Sequence, residues 1–211
     1  MSAIEFFLRH QREILQATWE HVWLVGLTMI FAIAIGVPLG ILVTRRPWLS
    51  RPILGGANIA ETIPSLALFG FLLPVPWLGG RADRLAIAAL TLYALLPIIR
   101  NTSAGIANVD RAVREAARGM GMTDRQILFQ VELPLSFSTM LAGIRIATVL
   151  TIGIATIAAA VGAGGLGEFI FRGLAMVNDQ LILAGAIPAA LLALAADFAL
   201  GLLQRRLRPV R

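Results

Sequence analysis

The chain has no cysteine, which excludes disulfides, thiolate metal sites and cysteine nucleophiles. It has no lysine either: all 18 basic residues are arginine. A P-loop needs its lysine on the nucleotide phosphates, so this chain is not itself a standard ATPase. Charge of both signs is scarce, at 14% of 211 residues, where a soluble domain carries about 25%. No polar stretch is long enough to fold as a separate soluble domain. The only histidines, His10 and His21, are too far apart in sequence for a local metal pair. Aromatic residues are also few, with one tyrosine and four tryptophans.

What is abundant is apolar side chain: 58% of the residues are hydrophobic, and the mean hydropathy is +0.81. That composition belongs to an all-α polytopic membrane protein, with room for roughly five or six spans of about 20 residues. Residues 1–20 predict an amphipathic interfacial helix, with Ile4, Phe7, Leu8, Ile14 and Leu15 at helical spacing between charges. The rest, 21–211, reads as one membrane domain with spans at 22–43, 53–73, 85–105, 137–161 and 181–203. Trp19, Trp23, Trp48 and Trp77 fall where interfacial anchors are expected. The second span contains Gly55, Gly56, Glu61 and Pro64, a polar, glycine- and proline-interrupted pattern tolerated at membrane depth only where protein or a cavity covers it. Pro64 and Ser65 either break it beside a translocation path or merely kink it.

Net charge of +6 could suit nucleic acid, but arginines flanking apolar spans mark a membrane orientation instead. Arg45, Arg46 and Arg51 follow the first span, and Arg100, Arg111, Arg114, Arg118 and Arg125 follow the third. Arg205, Arg206, Arg208 and Arg211 form the tail. Only Arg81, Arg84 and Arg172 lie on the opposite side, so twelve arginines face three. The expected arrangement has the N-terminus outside, the C-terminus in the cytoplasm, and the polar loop 108–135 on the cytoplasmic side.

That loop is the most polar part of the middle of the chain. Asp110 can cap the helix "RAVREAARGM", which Gly119 and Gly121 end. Thr123 with Gln126 makes a capping box for a second helix, and Pro134 fits the first turn of the next span. The predicted unit is two short helices joined by a glycine elbow, presenting Ile127, Leu128 and Phe129. It is either an ordinary solvated loop or a docking element for a soluble partner.

Glu115-Ala116-Ala117, then Gly121, Val131 and Leu133-Pro134 at their observed spacing, resemble the EAA loop of ATP-binding-cassette importer permeases. Val131 stands where isoleucine is common. Together with "IPSLALFGFLLP", "LTLYALLPIIRNT", "AGIRIATV" and "GAGGLGEFIFRGL", the stretch from about Gly36 to Leu207 is similar to the osmoprotectant branch of that family. The resemblance implies the type I importer permease fold, in a bacterial inner membrane. It implies import of glycine betaine, carnitine, choline or proline betaine, with two permeases forming the pore as a homodimer or with a paralogue. Two cytoplasmic ATPases would hold the ATP and magnesium, and an extracytoplasmic binding protein would deliver the solute. This chain would carry no catalytic residue, cofactor or metal and would bind no nucleic acid. The segment from Gly121 to Phe129, supported by Glu115 and opened by Thr123, would be the coupling helix.

Three ionisable residues fall within spans and are functional candidates. Glu61, Arg145 and Asp197 all lie about 12–15 Å from the arginine-rich side at 1.5 Å per residue. Their shared depth and opposite signs predict that Arg145 pairs with Glu61 or Asp197, as a working or a merely static pair. Gly164, Gly165 and Glu168, in the glycine-rich segment on the other side, either contact the binding protein or only permit close helix packing. With one tyrosine and interfacial tryptophans, no aromatic cage for a quaternary ammonium is expected here. An amino-acid cargo, an ion-driven secondary transporter and a non-transporting scaffold are the rival readings.

Overall fold

A computed structural model describes residues 3–207. The side chain of Ile4, together with Arg208 and Arg211, lies outside the described residues. Among those described, all regular structure is helical. The helices are α1 (Ala3–Arg9), α2 (Gln11–Arg45), α3 (Pro47–Thr62), α4 (Ser65–Leu72), α5 (Ala82–Ala107), α6 (Arg111–Gly119), α7 (Asp124–Ile127), α8 (Leu133–Ala158), α9 (Gly167–Met176) and α10 (Asp179–Arg206). A π-helical turn, Leu128–Glu132, joins α7 to α8 without a break. Helical structure therefore runs uninterrupted for 38 residues, from Asp124 to Val161.

Four segments are long and apolar enough to cross a membrane, and α3 with α4 makes a fifth candidate bent by 105°. The bend has a local cause. Pro64 disfavours helical geometry in the residue before it, and Ile63 is extended at φ −69°, ψ 129°. A break at this depth frees carbonyls that hydrocarbon cannot satisfy. The hydroxyl of Tyr93, the one tyrosine, donates to the carbonyl of Ile63 and closes that gap.

The central helix is α5. Its Leu85, Ala86, Ala89, Leu90, Ala94 and Ile98 are buried among Leu24 and Met29 of α2, Phe69 of α4, and Ala147 and Ala155 of α8. Small residues set how closely the helices approach. A Cβ on Gly40 would lie 2.6 Å from Cβ of Thr102, and one on Gly143 would lie 2.5 Å from Cβ of Asn101. The opposite faces stay apolar and uncovered, with Ile30, Leu191, Leu194 and Phe198 each 60% exposed or more in the isolated chain. Such faces suit lipid or a second subunit.

The N-terminal region differs from the separate interfacial helix expected over 1–20. Nothing breaks the chain between Gln11 and the first span, so α2 is a single helix of 35 residues, with only His10 as a joint before it. Phe6, Ile14 and Ala17 are buried with Leu166, Phe169 and Leu181 of the α9–α10 region, while Leu8 and Leu15 remain exposed. Glu20 accepts from the Gly165 amide at 3.3 Å, and His21 Nε2 lies 3.1 Å from the Ile152 carbonyl.

Tyr93→Phe orphans the Ile63 carbonyl and is expected to cost about 1–3 kcal/mol. Thermal unfolding of the purified protein in detergent checks this; an unchanged midpoint would show that the bend needs no hydroxyl.

Candidate functional site: the polar loop and the charges in the bundle

The loop between α5 and α8 is built by its own caps. The Asp110 carboxylate accepts from the Ala112 amide at 2.8 Å and opens α6. The chain reverses at Gly121, whose φ of +82° is left-handed backbone that a side chain would strain. Thr123 and Gln126 then close both bonds of a capping box, with the Thr123 amide 2.8 Å from Gln126 Oε1. Pro134 lies in the first turn of α8. Backbone polarity is satisfied locally at each joint, so the elbow and the span form one stiff piece.

Of the loop residues singled out from the sequence, Glu115, Ala116, Gly121, Thr123 and Phe129 are exposed, and so is Pro134. Glu115 accepts from Arg111 at 2.7 Å along α6. Ala117 and Ile127 are each only 2% exposed, and Leu128 and Leu133 are half-buried. Ile127 is thus a correction to the surface expected of Ile127, Leu128 and Phe129. Residues two apart sit about 200° around a helix, so Ile127 holds the loop to the bundle while Phe129, at 65% exposure, faces outward. Met120, 75% exposed at the elbow, joins Phe129 on the outer surface. The sequence does not single out Met120, because an isolated methionine carries no period.

Beneath the loop lies a charged cluster that spacing alone did not reveal. Glu132, on the π turn, is 1% exposed. It accepts from the Arg45 guanidinium at the end of α2, and Arg114 of α6 approaches its other oxygen at 3.9 Å. These three residues line a cleft of about 440 Å³ with Thr44, Ser50 and Ser103.

Within the bundle, Arg145 of α8 and Asp197 of α10 form a two-point pair, Nε to Oδ1 at 2.6 Å and Nη2 to Oδ2 at 2.5 Å. Asp197 is therefore the partner of Arg145. Glu61, exposed near the end of α3, takes no ion pair among the described residues. Gly201 leaves room for the guanidinium, since a Cβ there would lie 3.1 Å from Arg145 Nη1. The pair opens into a cavity of about 380 Å³ between Leu194, Phe198 and Arg205. Pro64 and Ser65 stand at the α3–α4 bend, Pro64 exposed and Ser65 half-buried.

On the side of the glycine turn, Gly164 and Gly165 both have φ of +79°. Gly165 is buried and Gly164 half-buried, so Glu168, exposed in the first turn of α9, is the member of that trio most available to a partner. No group of three His, Cys, Asp or Glu that could hold a metal occurs among the described residues.

Residues 36–209 match the family model of the binding-protein-dependent transport system inner membrane component. The chain belongs to that family. Among curated relatives, the carnitine transport permease protein OpuCB of Listeria monocytogenes is 45% identical over 98% of this chain and 93% of its own. The osmoprotectant import permease protein OsmW of Salmonella typhimurium is 42% identical over 99% of this chain and 98% of its own. Among solved structures, an inward-facing MetNI methionine ABC transporter is similar at a TM-score of 0.85 and 25% identity, covering 99% of this chain and 100% of that one. The permease is a multi-pass inner-membrane protein of the type I importer fold, and a transport subunit rather than a catalytic one. Membership in a binding-protein-dependent family sets aside the ion-driven and scaffold readings.

For the charge pair between α8 and α10, Arg145→Gln and Asp197→Asn each leave one unpaired partner within a span, and both are expected to lower the unfolding temperature of the permease. The double variant should be no worse than the poorer single, as expected of two residues that act through each other. Additive losses would dissolve the pair, whereas Glu61→Gln should leave the midpoint unchanged.

Proposed function

We propose that this permease forms the translocation path of an ATP-driven importer of osmoprotectants, with carnitine, glycine betaine or choline as cargo. The observation that carries the reading is Phe129, exposed on a helical stretch that runs unbroken from Asp124 to Val161, with Met120 exposed at the elbow before it. An apolar pair exposed on a charged, capped loop is suited to a groove on a soluble subunit. A displacement of that loop would move α8 with little loss, because no flexible joint lies between them.

Two cytoplasmic ATPases would bind and hydrolyse ATP with magnesium, each gripping one such loop. The N-terminus would then lie outside and the loop and C-terminus in the cytoplasm. Glu115 would support the contact through its i,i+4 pair with Arg111. A second permease, either another copy or a paralogue, would complete the pore. The Arg145–Asp197 pair supports that assembly: 35% and 42% of these side chains are exposed in the isolated chain, and charge facing hydrocarbon is costly. A partner subunit or a water-filled path would cover that face. On the other side, Glu168 would meet the solute-binding protein.

The osmoprotectant cargo rests on the named relatives at 42–45% identity over nearly the whole chain. A methionine-like cargo is the second reading, favoured only by the structural likeness at 25% identity.

Co-expression with a partner ATPase and binding protein of the same family of importers, followed by uptake of labelled carnitine and methionine into vesicles, tests both. Carnitine uptake dependent on ATP is expected. Phe129→Glu should abolish ATPase co-purification and uptake together; retention of the ATPase by this variant would place the docking surface elsewhere.

A further inference from the structure

The Glu132 cluster has no place in the coupling loop as read from the sequence, and it lies where α2, α6 and the π turn meet. Its carboxylate sits on the π turn Leu128–Glu132, between the short helix α7 and the span α8. Arg45 reaches it from the last turn of α2, and Arg114 from the inner side of α6. Arg111 and Arg118, one turn away on either side of Arg114, are exposed, while Arg114 is half-buried and turned inward. A carboxylate that is 1% exposed is costly unless it is paired. Here both oxygens face guanidinium groups, one in contact and one at 3.9 Å.

Helix geometry accounts for the placement. A π turn inserts one residue into the helical ladder and rotates the later residues relative to a continuous α-helix; such turns recur at functional sites. In this chain Phe129 points outward and Glu132 inward from the same five-residue turn. The outward residue belongs to the proposed docking surface, and the inward one grips a different membrane helix.

We propose that Glu132 is a positioning residue for energy coupling: through Arg45 and Arg114 it ties the loop to the end of α2, so that a displacement of the loop moves α2 together with α8. This rests on the reading of the loop as the ATPase contact. Without the tie, a displaced loop would act directly only on α5 and α8, the helices it joins in sequence, and would have no charged grip on α2. Since α2 and α8 both pack closely on α5, through Gly40 and Gly143, driving one without the other would strain that packing instead of reorienting the bundle. The ion pair is also better suited to this work than an apolar contact, because it holds direction as well as distance and joins three helices at one point.

The test uses the complete importer in lipid vesicles with its binding protein. Glu132→Gln keeps side-chain volume and an acceptor but removes the charge, and both arginines keep access to water. The complex is expected to assemble and to hydrolyse ATP, while solute imported per ATP falls about tenfold, within the range that residues lying between coupled sites control. Glu132→Asp should recover part of the ratio. Arg45→Gln alone should lower the ratio as Glu132→Gln does, and the double variant should be no worse than either. An unchanged ratio of solute to ATP in Glu132→Gln overturns the proposal, as does a loss confined to thermal stability or yield. Should Glu132→Gln fail to assemble, Arg45→Gln decides, because its side chain is 35% exposed and its loss leaves Arg114 beside the carboxylate. Failure of the loop reading itself would look different: no ATPase would be bound to the unmodified permease.

Discussion

Hydrocarbon offers no partner to a carbonyl or a charge, and the polar features of this permease are arranged around that constraint. The α3–α4 break is possible because Tyr93 meets the carbonyl that Pro64 sets free. Arg145 is possible inside the bundle because Asp197 engages it at two points. The polar loop escapes the constraint by standing outside the apolar spans, where its caps satisfy the helix ends.

The same constraint separates stiff regions from adaptable ones. From Asp124 to Val161 the backbone is satisfied by continuous helical bonding, including the π turn. A piece of this kind transmits displacement along its axis. Around the central helix α5, Gly40 and Gly143 leave the space that Thr102 and Asn101 occupy, so α2 and α8 approach α5 closely. Stiff helices held in such close contact are suited to move together.

Charge is used in different ways at different levels of the bundle. The Arg145–Asp197 pair joins neighbouring spans α8 and α10, and its partial exposure points to a covered or hydrated face. Glu132 lies buried where α2, α6 and the π turn converge, and the arginines around it remain about one-third exposed. Glu20 holds the glycine turn to α2 from the other end of the molecule. Each ties elements distant in sequence, so the ion pairs and polar contacts supply directions that apolar packing lacks.

Much of this was legible in the residues alone. Apolar runs, the Asp110 and Thr123 caps and the Pro64 break all act over a few positions, and local rules predict them correctly. The candidate depth of Arg145 and Asp197 followed from helix rise, but Glu61 stood at a similar depth, and only packing of α8 on α10 chose between the two carboxylates. Ile127 and Phe129 have similar apolar character, yet one is buried and the other exposed. Glu132, Arg45 and Arg114 lie far apart along the chain, and sequence carries no period that links them. Residue chemistry determines what each segment can form by itself; which distant polar groups meet depends on the rotation and approach of helices, and those exist only once the bundle is packed.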